Sequence, residues 1–146
     1  MTLIRIRMYI EGRGKNAVLL SAVWLLVPVT FLLLHIPLDA FSAIIALASV
    51  FFHVFGVLAY LGFYEGFAGF NTATDEELSH FNMEKMTVFL GVSFCLAGCS
   101  FFIIMMVLKE QFGILTAMFT GIAYLLVILI SASVYMTVSK RFKASP

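Results

Sequence analysis

The stretch "MTVFLGVSFCLAGCSFFIIMMVLKEQFGILTAMFTGIAYLLVILISASVYMTV", residues 86–138, contains only two charged side chains, Lys109 and Glu110, side by side near its centre. On either side lies an apolar run, 86–108 and 112–138. Each is long enough to cross a bilayer, which takes about 20 apolar residues per helix. The short connection "KEQFG", residues 109–113, joins them in a tight antiparallel pair.

The first half of the chain repeats this plan. Runs at 17–36 and 40–63 are joined by "HIPLDA", where Pro37 stops one helix and Asp39 can cap the next. None of the four runs contains Asp, Glu, Lys or Arg. Pro28 lies inside the first and is expected to kink it. The 146 residues are 62% hydrophobic and 12% charged, with a mean hydropathy of +1.07. A soluble domain carries about 25% charged residues, so the solvent for this chain is expected to be lipid. A net charge of +1 argues against a nucleic-acid partner. The first run exceeds the roughly 7–15 apolar residues of a signal peptide and is expected to be a retained helix.

The charges set an expected orientation. Arg5, Arg7, Arg13 and Lys15 precede the first span, Lys85 ends the central segment, and Lys140, Arg141 and Lys143 follow the last span. Lys109 stands alone on the opposite side. The positive-inside rule then places both termini and the central segment in the cytoplasm. The expected fold is an all-α integral membrane protein, one domain over 1–146, with four transmembrane helices as two antiparallel hairpins. It is expected in the cell (plasma) membrane, multi-pass, with N- and C-termini cytoplasmic. Residues 1–15 read as a basic interfacial arm broken at Gly12 and Gly14, 64–85 as an acidic cytoplasmic loop with a short helix, and 139–146 as a basic tail.

The central segment "GFNTATDEELSHFNMEK", residues 69–85, is the one long polar insert. Gly69 and Asn71 permit a turn, Thr74 and Glu77 form a capping box, and Asn82 can restart a helix. The segment from Glu65 to Lys85 sums to −4, and the two terminal segments to +3 each. Asp75, Glu76 and Glu77 are therefore expected to dock on the basic termini or on a basic partner. The plainer alternative is a solvated loop, because exposed ion pairs contribute little individually.

"GFNTATDEELSHFNMEKMTVFLG" resembles the signature of a family of small prokaryotic membrane proteins catalogued as domain of unknown function 3784. Gly69, Phe70, Asn71 and Thr72 match its Gly-aromatic-Asn-Thr motif. Asp75, Glu76 and Glu77 match its acidic helix, and Gly91 matches a later glycine. This chain has two spans before the motif where the family pattern has one. The resemblance implies a small multi-span membrane protein and brings no activity with it.

His53 is the one readily ionisable side chain near the middle of a span. An intramembrane ionisable group is a functional candidate by default, and the plain alternative is a neutral imidazole bonded to a neighbouring helix. Small residues in lipid let helix backbones approach. Gly62 with Gly66, Gly91 with Cys95 and Cys99, and Gly113 with Ala117 and Gly121 are the expected packing stripes, within one bundle or between protomers. Cys95 and Cys99, four apart, have neither the number nor the spacing of a zinc site, so no metal and no cofactor is expected. Catalytic motifs are absent, and no enzyme is expected. The expected role is a non-enzymatic accessory or interaction subunit of a membrane assembly, as a homo-oligomer or within a larger complex. The alternative is a small oligomeric transporter or channel with His53 in the pathway.

Overall fold

The computed structural model describes residues 3–35, 37, 39–63, 76, 79–139 and 142–143, with side chains omitted at 3–11, 30 and 34. Gly66, Gly69, Phe70, Asn71, Thr72, Thr74, Asp75 and Glu77 lie outside the described residues. The described chain is all-α apart from one isolated bridge between Phe81 and Lys143. Helix α1 (Leu3–Ala22) passes through a 3₁₀ turn (Val23–Leu25) into α2 (Leu26–Leu34). Helices α3 (Ala40–Tyr60), α4 (Met83–Phe112) and α5 (Ile114–Val138) follow. Among the described residues, four helical stretches are long and apolar enough to cross a membrane: Gly12–Leu33, Ala40–Tyr60, Met83–Phe112 and Ile114–Val138.

The element boundaries differ from the sequence expectation, each for a local reason. Gly12 and Gly14 do not break the chain, because α1 runs unbroken from Leu3. Glycine weakens a helix by about 1 kcal/mol per position without forbidding it. The irregularity near Pro28 is the 3₁₀ turn one residue-turn earlier. Proline cannot bond the carbonyl of Trp24, four residues back, and its ring crowds that carbonyl.

Helix α3 opens on a capping box. Ser42 N–H donates to Asp39 Oδ1 at 2.8 Å, and Asp39 N–H donates to Ser42 Oγ at 2.9 Å. It closes at Tyr60 rather than at residue 63. Phe63 N–H reaches Leu58 O and Gly62 N–H reaches Ala59 O, both at 2.9 Å, with Gly62 at φ 102°. That is a Schellman closure, which needs a left-handed residue after the helix. Gly62 thus terminates the helix in this fold. Asn82 caps α4 through Lys85 N–H at 3.0 Å. α4 then continues through Lys109 and Glu110 to Phe112, and the turn is reduced to Gly113 at φ 84°. A Cβ on Gly113 would meet open space, so this residue too serves the turn rather than a helix contact.

Helix α4 is the centre of the fold. Half of its apolar window is buried, against 12%, 28% and 11% for the first, second and fourth spans. One core cluster joins Val27 from α2, Ile45 from α3, Cys99, Phe101, Phe102, Met105 and Met106 from α4, and Ala117 from α5. The ring of Phe31 packs on Phe102 with centroids 4.9 Å apart. The most intimate seam is α3 on α4, where Gly56 faces Cys95, Gly91 faces Tyr60 and Gly98 faces Ser49. In lipid such close backbone approach gains dispersion contacts that an apolar solvent does not otherwise favour.

Candidate functional site

The seam between α3 and α4 is built on a seven-residue rhythm in α3, where Ser42, Ile45, Ser49, His53, Gly56 and Tyr60 are all buried. Ser49 Oγ donates to Gly98 O at 2.8 Å across the seam, and Cys95 Sγ approaches His53 O at 3.5 Å. Cys99 Sγ approaches Val23 O at 3.6 Å. Both cysteines are free and buried. Gly91, Cys95 and Cys99 all face helices of the same chain, as do Ala117 and Gly121 on α5, where Gly121 abuts Met105. Among the described residues, no three His, Cys, Asp or Glu side chains gather in a way that could hold a metal ion.

At one end of the bundle a buried arginine ties three helices together. Arg13 Nη1 donates to Tyr60 O at 2.8 Å and to Thr87 Oγ1 at 2.9 Å, and Nη2 donates to Glu84 O at 3.2 Å. Glu84 Oε1 lies 3.5 Å from Nη2, and the guanidinium also stands over the Tyr60 ring. The C-terminal segment reaches the same place: Asn82 N–H donates to Phe142 O at 2.7 Å, and buried Phe142 packs against Phe89 and Tyr135. Segments near both ends of the chain therefore meet at residues 81–87. Among the described residues, Glu84 lies beside the Arg13 guanidinium. Glu76, the one described member of the acidic trio, is helical and exposed.

At the other end Lys109 Nζ bonds Asp39 Oδ2 at 2.5 Å and lies over the Phe41 ring. The hydrogen bond from Lys109, followed by the Ser42 N–H, lowers the Asp39 carboxyl to a pKa of about 2.

His53 lies about two-thirds of the way along α3, counting from Ala40 at about 1.5 Å per residue. It borders a pocket of about 330 Å³ between α1, the 3₁₀ turn and α3, lined by Ser21, Trp24, Val50, His53, Val54, Val57 and Leu58. The residue is only 5% exposed, and its ring faces the backbone of Ser21 and Cys95. Neither imidazole nitrogen meets the geometry of a hydrogen bond, nor does buried Trp24 Nε1.

Sequence reasoning missed the partners in both sites. Arg13 read as one more basic charge in an arm, and only the fold carries it to Tyr60 and Thr87. Gly56 and Ser49 were signalled by the rhythm Ser42, Ser49, Gly56, small residues seven apart. Trp24 gave no signal, because a single Trp in an apolar run looks like a lipid contact.

No curated protein and no solved structure matches this chain. The model of a domain of unknown function, DUF3784, matches residues 44–143. The match begins inside α3 and leaves the first helical run outside it, so the Arg13 tie and the His53 pocket each join that run to the matched unit. The matched residues exceed half of the chain and include most of α3 and all of α4 and α5, and the chain belongs to the DUF3784 family.

Proposed function

We propose that this chain is a non-enzymatic interaction subunit of a membrane assembly. It sits in the cell membrane as two antiparallel hairpins with both termini and the 64–85 segment cytoplasmic. The observation that carries the reading is the fourth span. Of its 25 residues only Ala117 and Gly121 are buried, while Thr116, Thr120, Ala123 and Ser131 stand exposed along one face. Helices in lipid associate through faces of small and hydroxyl-bearing residues, and a span with so little of its surface covered has one to offer. The bias of eight basic residues to one supports the orientation.

The test is purification in mild detergent, with mass measurement and identification of co-purifying proteins. A homo-oligomer or a stable heteromer that the double substitution Thr116→Leu, Thr120→Leu dissociates is the expected result. A wild-type monomer at cellular protein-to-lipid ratios sinks the proposal. The competing reading is an oligomeric transporter with His53 in its pathway. The unmet imidazole speaks for it, and the mainly aliphatic lining of the pocket speaks for binding over conduction.

A further inference from the structure

We infer that the pocket between α1, the 3₁₀ turn and α3 holds one straight hydrocarbon chain, the tail of a bilayer lipid, which completes the packing of the first helical run. This goes beyond the assembly reading and is independent of it. The first run is packed tightly on either side of the pocket and loosely at it. Arg13 and Ala17 are 8% and 6% exposed before it, and Val27 is 2% exposed after it. Between them Ser21 and Trp24 border a gap of about 330 Å³, and only 12% of the run's apolar window is buried. A gap left empty forfeits the dispersion contacts of the side chains around it. Shape and lining define the occupant. Val50, Val54 and Val57, spaced four and three apart, form one face of α3 along the gap, and Leu58 ends it. Val50 to Leu58 covers about 12 Å of helix at about 1.5 Å per residue. The mean cross-section is then about 28 Å², room for one hydrocarbon chain and not for two side by side. Ser21 Oγ already donates to Ala17 O at 2.8 Å, and the ring nitrogens of His53 and Trp24 are buried, so an occupant meets an almost wholly apolar wall. A cavity lined in this way takes up apolar molecules and excludes water. Val54 and Leu58, 48% and 39% exposed, put its mouth on the outer surface of a helix apolar enough to cross a membrane, where hydrocarbon is the surrounding medium. The gap also runs along α3, the direction a lipid tail takes beside a span.

The chain contains one tryptophan, and it lines the pocket, so its fluorescence reads occupancy directly. Full-length protein in phosphatidylcholine nanodiscs is titrated with bromododecane, whose bromine quenches indole on contact. The expected result is quenching that saturates. Dodecane should reverse it, and adamantane, a compact cage of similar chemistry, should not. Val54→Phe fills the mouth with a ring. Displacing about two methylenes' worth of burial should raise the half-saturating concentration about tenfold. Leu126→Phe, at a position 53% exposed on α5, should leave it unchanged. Phosphatidylcholine with brominated tails tests the source: it should quench Trp24 in the wild type and distinctly less in Val54→Phe. Equal quenching of the two proteins by that lipid overturns a lipid tail as the occupant. Reversal by dodecane in the wild type decides the matter if Val54→Phe does not fold. Quenching that only grows linearly, no reversal by dodecane, equal reversal by adamantane, or a Val54→Phe protein that titrates like the wild type overturns the inference.

Discussion

Replacing Gly91 by alanine tests the α3–α4 seam at its tightest point. A Cβ there would lie 2.5 Å from Tyr60 Cβ, 2.6 Å from its N and 2.7 Å from its Cα. Ordinary carbon contacts are about 3.5–4.0 Å, so the two helices must part by about 1 Å. Two of these three atoms are backbone of a buried helix and cannot swing aside. Overpacking costs about 1–3 kcal/mol, and this geometry belongs at the upper end. Alanine regains up to about 1 kcal/mol over glycine inside a helix. The net expectation is a loss of about 2 kcal/mol, measured by unfolding in mixed micelles with helical circular dichroism as the signal. Gly121→Ala is the control. Its Cβ meets the thioether end of Met105 and an edge of Phe101, and a methionine side chain can move. Relief and propensity gain should nearly cancel, leaving a change within about 0.5 kcal/mol. If Gly91→Ala matches the wild type, or Gly121→Ala loses as much as Gly91→Ala, close backbone packing at this seam is not what holds the helices together.

Three further outcomes are expected. Arg13→Met leaves Tyr60 O and Thr87 Oγ1 without their charged donor and should cost about 2 kcal/mol in the same assay, and Arg13→Lys should not restore it because an ammonium lacks the fork. The Asp39 carboxyl falls from 3.8 in the unfolded reference to about 2 in the fold, so its contribution is present above pH 4 and is lost as pH drops towards 2. The difference in stability between wild type and Asp39→Asn should therefore shrink between pH 4 and pH 2, and a difference that stays constant there contradicts the Lys109 pairing. Cys95 and Cys99 are 0% and 4% exposed, so N-ethylmaleimide should label neither in the folded protein and both after denaturation; rapid labelling of the native protein would show that the seam opens.

The number and approximate position of the spans were legible in residues 17–138 because the signal is local. A run of 20 apolar residues without a charge has few alternatives to a membrane helix. The caps at Asp39 and Asn82 were legible for the same reason, since a cap is made by residues three apart. Helix ends were less so. Lys109 to Gln111 read as a connection because they are polar, yet polar helix formers extend α4 until Gly113 supplies a left-handed turn. Gly113 resembled a packing glycine because composition does not distinguish a small residue in a seam from one in a turn.

What the sequence by itself determined is therefore the solvent, the four apolar helices and the family signature. Each depends on neighbours within a few residues. Only the tertiary structure decided that Gly91 and Cys95 face α3, that Arg13 reaches Tyr60 and Thr87, and that His53 and Trp24 border one pocket. These partners lie 29 to 74 positions apart, and α4 brings several of them together by packing against the other helices. An apolar helix in lipid is hydrophobic all round, so its sequence has no polar face to announce which side turns inward. That choice falls to steric fit between backbones, and steric fit exists only once the helices have met.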